Sequence, residues 1–243
     1  MEKTLMQKIE IFSMNFDFTS AEQKAILQYL QANNYKLTAY KGATGPNQVS
    51  SGVPTWFSVS YVEIFGELEI DYEPKYKVYV FNQTNINVNT RILMQAISDE
   101  TPLGTGLTFN PDGTFHRNSG APEGVINVIN NRPAGTPPVT IGLAAKVNGK
   151  FLPFCAFICA PQESVSMKPN EKIVLLASQN NMTSGTVAGN MTGPGCSFTF
   201  SAQNMRYDLE MIPENYGIQN VPGTIPVDSV ASGASLVQLL NIS

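Results

Sequence analysis

Residues Glu67 to Phe81, ELEIDYEPKYKVYVF, constrain this chain more than any other stretch. In an extended chain side chains alternate with period two, so Leu68 and Ile70 share one face while Glu67, Glu69 and Asp71 share the other. The second half, KYKVYVF, is aromatic and β-branched, which suits a pleated, half-buried surface. With Tyr72-Glu73-Pro74 as a three-residue loop, the two halves pair as a hairpin. Asp71 then stands opposite Lys75 and Glu69 opposite Lys77, and a one-residue slip would set charge against hydrophobe. The stretch therefore predicts an antiparallel β protein.

The rest of the chain extends that pattern. About a dozen short candidate strands fall between residues 35 and 212, separated by turn residues, among them the Asn-Pro-Asp-Gly run between Phe109 and Phe115. Ile173 to Ala177 is an unbroken apolar run, as expected of a strand covered on both faces. Residues 9–18 read as a further strand. Thr19-Ser20-Ala21-Glu22 then forms a capping box for a helix over about 20–33, with Ala25, Ile26, Tyr29 and Leu30 at helical spacing. A short C-terminal helix falls within 228–241, weakened by Gly233 in its middle. The expected fold is mainly β: an antiparallel β-sandwich of the jelly-roll kind, with one N-terminal helix and that short C-terminal one. Its expected division is a strand-and-helix extension over 1–34, a sandwich over 35–212, and a Pro- and Gly-rich linker with C-terminal tail over 213–243.

A chain of 243 residues is long enough to bury a sizeable core. Only 14% of it is charged, against roughly 25% in ordinary soluble domains. Such a surface favours self-association or uncharged partners. A formal net charge of -4 and the lack of clustered Lys and Arg argue against nucleic acid. The N-terminus lacks the apolar run of a secretory signal, and no stretch of about 18 apolar residues occurs. Synthesis in the cytoplasm, with any release by a non-classical route, is the expectation.

Candidates for chemistry are few. Cys155, Cys159 and Cys196 are an odd number of cysteines and read as small buried hydrophobes rather than a disulfide framework. His116 is the single histidine and lies just past a turn, so neither a histidine-rich metal site nor a well-supported catalytic triad is indicated. No phosphate loop or dinucleotide fingerprint occurs, and no cofactor is expected. The sequons at Asn82, Asn181, Asn190 and Asn241 carry weight only along a secretory route. Glu67, Glu69 and Asp71 are the most enzyme-like group, since neighbouring carboxylates can divide acid and nucleophile roles on a sugar. Their acid-aliphatic-acid-aliphatic-acid spacing resembles the strand motif of jelly-roll retaining glycosidases over five residues, with the order Glu-Glu-Asp in place of Glu-Asp-Glu.

Two further features point to binding rather than catalysis. Trp56, Phe57 and Tyr61, with Phe65, follow a Gly- and Pro-rich segment, and a loop presenting them would sit at a membrane interface or stack on a sugar ring. Core packing is the alternative. From Ile173 to Met205 there is no charged residue, a property shared with the insertion hairpins of pore-forming β toxins; a surface loop between short strands is again the alternative. Together these features point to a non-enzymatic binding protein of the toxin or lectin kind, engaging a membrane or glycan surface through Trp56, Phe57 and Tyr61, with pore formation on oligomerisation as its extreme form. The alternatives are a self-assembling structural protein (capsid-like, fibre or inclusion-forming) and a glycoside hydrolase using Glu67, Glu69 and Asp71. Expected partners are further copies of the chain and a membrane lipid or glycan.

Overall fold

A computed structural model describes residues 11–240. Residues 1–10, including the N-terminal stretch weighed above as a secretory signal, and residues 241–243, including the sequon at Asn241, lie outside the described residues. The chain begins with β1 (Phe12–Asp17) and helix α1 (Ala21–Ala32), followed by β2 (Lys36–Thr44), β3 (Val53–Pro54), β4 (Phe57–Ser60) and a single long β5 (Glu67–Phe81). Next come β6 (Ala96–Ile97), β7 (Thr105–Phe109), β8 (Phe115–Arg117), β9 (Ile126–Asn130), β10 (Val139–Val147), β11 (Lys150–Pro153) and β12 (Phe157–Cys159). The last part holds a second long strand, β13 (Ser164–Ser178), then β14 (Val187–Ala188), β15 (Gly195–Thr199), β16 (Arg206–Met211), β17 (Ile218–Asn220), β18 (Asp228–Val230) and helix α2 (Leu236–Leu240).

These strands form two main sheets, so the fold is mainly β and sandwich-like. The first runs β11-β10-β5-β1-β16-β17, with β12 and β6 attached to β10 and β5. The second runs β18-β15-β13-β9-β7-β8, with β2 beside β13 and β4 beside β2. Most pairings are antiparallel; β1 with β16 and β7 with β9 are parallel. The main core gathers Met14, Trp56, Ile70, Leu143, Leu175 and Phe198, among others. Ile173, Leu175 and Ala177 face this core, while Val174 and Leu176 pack with Tyr40, Leu236 and Leu240 in a second cluster under α2. The unbroken apolar run is thus covered on both faces, as its composition predicts.

The hairpin expected within 67–81 is not formed. Residues 67–72 pair with β1, placing Glu69 opposite Asn15 and Asp71 opposite Ser13, and residues 72–81 pair with β10. Between the two lies a bulge: Glu73 pairs with Lys146 and Tyr76 with Ala145, leaving Pro74 and Lys75 without a ladder partner. Proline has no N–H to give, and a bulge is where a strand can carry one. The feature that reads as a turn is therefore a bend in one strand. β13 repeats the device: Pro169 pairs with Ala43 and Ile173 with Lys41, and residues 170–172 bulge between them.

Helix α1 starts one residue later than the capping box suggests. Ser20 is the N-cap and accepts a hydrogen bond from the Gln23 N–H at 3.2 Å. The Gln23 side chain turns away from the cap and hydrogen-bonds both the N–H and the C=O of Met211 on β16, at 3.0 and 2.8 Å. The helix buries Gln23, Ile26, Leu27 and Leu30 and leaves Tyr29 half-exposed, stacked on Tyr216 at 4.5 Å. The strand read as part of an N-terminal extension, β1, lies between β5 and β16 inside the first sheet. In the C-terminal region Gly233 takes φ +84°, a left-handed conformation that ends one segment before α2 begins.

Candidate functional site

Trp56, Phe57 and Tyr61 do not form an exposed surface. Trp56 and Tyr61 are fully buried and Phe57 is 4% exposed, all within the main core. Trp56 meets the Tyr72 ring edge-on at 5.1 Å and points its indole N–H at the Ala145 carbonyl, 3.4 Å away. The reason is positional: Phe57 lies on the inward face of β4, and the neighbouring Tyr61 opens a 3-10 turn whose hydroxyl is sealed against the Met211 sulfur at 3.5 Å. Of the aromatic group, Phe65 is exposed, at 87%.

The charge-free segment is likewise interior for much of its length. Ile173 to Ser178, Val187, Ala188, and Gly195 to Phe198 are buried, so its strands belong to the packed body rather than to an exposed hairpin. The loops between those strands are another matter. Loop 178–186 and residues 189–192 join the loop at 88–91 to border an open hollow of about 740 Å³. Its polar lining comes from the amides of Asn89, Asn180, Asn181 and Asn190, the hydroxyls of Thr186 and Thr192, and the guanidinium of Arg91. Val88, Met182 and Ala188 supply apolar patches.

This wall is held by backbone bonds. Asn89 N–H donates to Val187 O and Val187 N–H to Thr90 O, at 2.8 and 2.9 Å, and Ile92 N–H donates to Gly185 O at 2.9 Å. Gly185 adopts φ +85°, and any Cβ there would run into the Ile92 carbonyl, so the close approach of the two loops requires glycine. Among the described residues the hollow is lined by no carboxylate, histidine or cysteine. Its lining residues carry amides, which both donate and accept, and one cationic fork, which only donates. That set is suited to hydrogen-bonding hydroxyl groups.

The remaining candidates fall elsewhere. Glu67, Glu69 and Asp71 share an exposed face of the first sheet, with Asp17 opposite Glu67. Asp17 is drawn below its usual value by hydrogen bonds from Thr19, the opposite of what an acid catalyst needs. His116 is exposed and lies 3.3 Å from the Thr114 hydroxyl, which in turn is within 2.6 Å of the Asp112 carboxylate as its donor. The three cysteines are buried and free. Burial pushes the Cys155 thiol up to about 12 and Cys159 to about 11, and raises Cys196 as well. Such thiols are poor nucleophiles. Among the described residues no group of three or more His, Cys, Asp or Glu is placed to hold a metal, and no helix is long and apolar enough to cross a membrane.

One charged constellation is built around an interior cation, with its carboxylate partner 28% exposed. Lys41 on β2 is fully buried and its ammonium lies 2.9 Å from Glu171 in the β13 bulge. It also donates to the Asn170 carbonyl and sits 4.7 Å from the centre of the Tyr72 ring. Tyr76 donates to the other Glu171 oxygen at 2.8 Å, and the Tyr72 and Tyr76 hydroxyls are 2.9 Å apart. The bulges of the two long strands thus face one another across the sandwich and are tied by this chain of polar groups. Burial pulls the Glu171 carboxyl up, but the Lys41 charge and the tyrosine hydroxyls outweigh it and leave the carboxyl below its ordinary value. Burial lowers Lys41 despite Glu171.

Sequence reasoning missed the amide-lined hollow. Its signal was visible: Arg91 is the one cation in the Asn-rich stretch FNQTNINVNTRILMQ, and the charge-free segment carries Asn180, Asn181 and Asn190. Comparison with known protein families, curated proteins and solved structures finds no match to this chain.

Proposed function

We propose that the protein is a non-enzymatic, lectin-like binding protein that takes hydroxyl-rich ligands, such as a glycan, in the hollow around Arg91 and Asn180. The observation that carries this reading is the lining itself: amides, hydroxyls and one guanidinium over small apolar patches, in a volume within the usual range of about 300–1,000 Å³ for ligand sites. Amide and guanidinium groups match sugar hydroxyls in both hydrogen-bonding senses, and the apolar patches suit the C–H faces of a pyranose. The binding surface expected at Trp56, Phe57 and Tyr61 moves, in this reading, to loops that the sandwich holds rigidly.

The test is a glycan array followed by calorimetry on the best ligand. Arg91→Ala and Asn180→Ala should each weaken binding at least tenfold with an unchanged melting temperature. Retention of full affinity in both variants, or an array without a hit, would overturn the reading.

A second reading, self-assembly, is favoured by Phe65, an exposed aromatic side chain that shares a shallow hollow with Lys24, Leu27 and Gln28 of α1. Light scattering should then show particles or oligomers without added ligand, and Phe65→Ser should return the protein to a monomer.

A further inference from the structure

Three buried hydroxyls lack a hydrogen-bond partner among the described residues: Thr38 Oγ1, Ser58 Oγ and Ser184 Oγ. They are not scattered. Thr38 on β2 pairs directly with Ser58 on the edge strand β4, and Lys36 pairs with Ser60. Cross-strand partners share a face, so Lys36, Thr38, Ser58 and Ser60 form one polar patch, while Leu37, Ala39 and Phe57 on the opposite face enter the core. Ser58 and Ser184 line a second hollow of about 360 Å³, on the far side of Met182 from the one described above. Its other wall is the β10–β11 turn, carrying Asn148 and Lys150.

An unpaired buried hydroxyl is costly, and native proteins rarely keep one without a partner that enters from solvent. Here two line the same hollow, with a third across the strand pair. Two ammonium groups stand beside them. Lys36 spends one N–H on the Asn181 side-chain oxygen at 2.8 Å, leaving two. Lys150 is exposed and forms no ion pair among the described residues. Asn148 uses its carbonyl oxygen to accept from the Asp71 N–H at 2.8 Å, so its NH₂ is the group left for a ligand. Against these donors stands one carboxylate, Glu63, which is exposed.

We propose that this hollow is an oxyanion site, taking a sulfate or phosphate group either free or as an ester on a larger ligand. Ser58 and Ser184, whose hydroxyls are closed off in the free protein, turn into the hollow to donate when the anion enters, and Lys36 and Lys150 supply positive charge from its rim. A tetrahedral anion offers several acceptor oxygens at once, which matches converging donors of different kinds. The site is independent of the glycan reading, because Arg91 does not line it.

The experiment titrates the protein with sodium sulfate, sodium phosphate and a monosaccharide sulfate at constant ionic strength, following backbone amide shifts of Ser58, Asn148 and Ser184. Saturable shifts with a dissociation constant in the millimolar range or tighter are expected. Tighter binding of the sugar sulfate than of inorganic sulfate identifies an ester ligand; equal binding identifies the free ion. Lys150→Met and the pair Ser58→Ala with Ser184→Ala should each weaken binding at least fivefold, and Arg91→Ala should leave it unchanged. The serine variants lose only unpaired hydroxyls, so their melting temperatures without anion should not fall. Lys150 is exposed, so its variant tests the site even if the serine pair misfolds. Shifts that grow linearly and equally with chloride, or affinity unchanged in both the Lys150 and the serine variants, would overturn the proposal.

Discussion

The two long strands are the same length and each carries a bulge, yet the lysines that pair with their bulge carboxylates lie in opposite settings. In β5 the bulge presents Glu73, which pairs with Lys75 at 2.9 Å and Lys146 at 2.8 Å near the surface. In β13 it presents Glu171, paired with a lysine that has no solvent contact. One backbone device thus serves two ends. At the surface an ion pair gains little, because water competes for both partners. A pair with a buried cation is not a large net gain over apolar packing, but removing Glu171, itself 28% exposed, leaves the Lys41 ammonium with no water to solvate it. The comparison identifies Lys41–Glu171 as the tie between the sheets and the Glu73 pairs as ones whose lysines both reach water.

Removing the counter-charge of the buried cation should separate the two regions most sharply. Glu171→Gln, which strands the fully buried Lys41 ammonium, is expected to cost about 3–5 kcal/mol in urea unfolding, and adding Lys41→Met to it should recover part of the loss. A cost below that of Glu73→Gln would reverse the assignment. Next in size is Tyr76→Phe, which deletes the hydroxyl donor to Glu171 and should cost about 1.5–3 kcal/mol by the same measurement.

Acid should reveal the same carboxyl. Glu171 binds its proton less readily folded than unfolded, so its stabilising contribution is present above its ordinary value of 4.5 and is lost as pH falls through the lower folded value. Melting curves from pH 6 down to pH 3 should be flatter in Glu171→Gln than in the parent. Glu73 is also held low, chiefly by hydrogen bonds from Lys146 and Lys75, but both lysines reach water, so its share of that slope should be smaller. The smallest effect belongs there: Glu73→Gln should cost less than about 1 kcal/mol, and a larger loss would mean that the β5 bulge is as tightly tied as its counterpart.

What the sequence shows clearly is periodicity. The alternation in Glu67–Asp71, the apolar run at Ile173–Ala177 and the helical spacing of Ile26 and Leu30 in α1 correspond to observed elements, because burial acts directly on residue type; Ala25 and Tyr29 of the same stripe are exposed, and Leu27 is buried in their place. What it hides is the use to which a breaker is put. Pro74 reads as a turn because proline ends ladders, yet a bulge absorbs it without reversing the chain. Trp56 is ambiguous for a similar reason: an aromatic residue after a Gly-rich segment suits a binding loop and a core equally, and only the course of β4 decides. The amide-lined hollow was harder still. Its residues come from three separate loops, 88–91, 178–186 and 189–192, and asparagine carries no periodic signal that would join them.

The sealed thiols have a practical consequence. Cys155, Cys159 and Cys196 sit in the packed interior with protons they do not readily release, so a maleimide reagent meets them only when the molecule opens. The rate at which mass is added under native conditions is therefore a clock for spontaneous opening, already built into the natural chain. Slow, simultaneous labelling at all three would mean that both sheets come apart as one unit, whereas early labelling at Cys159 alone would mark the β12 corner as the place where the molecule first loosens.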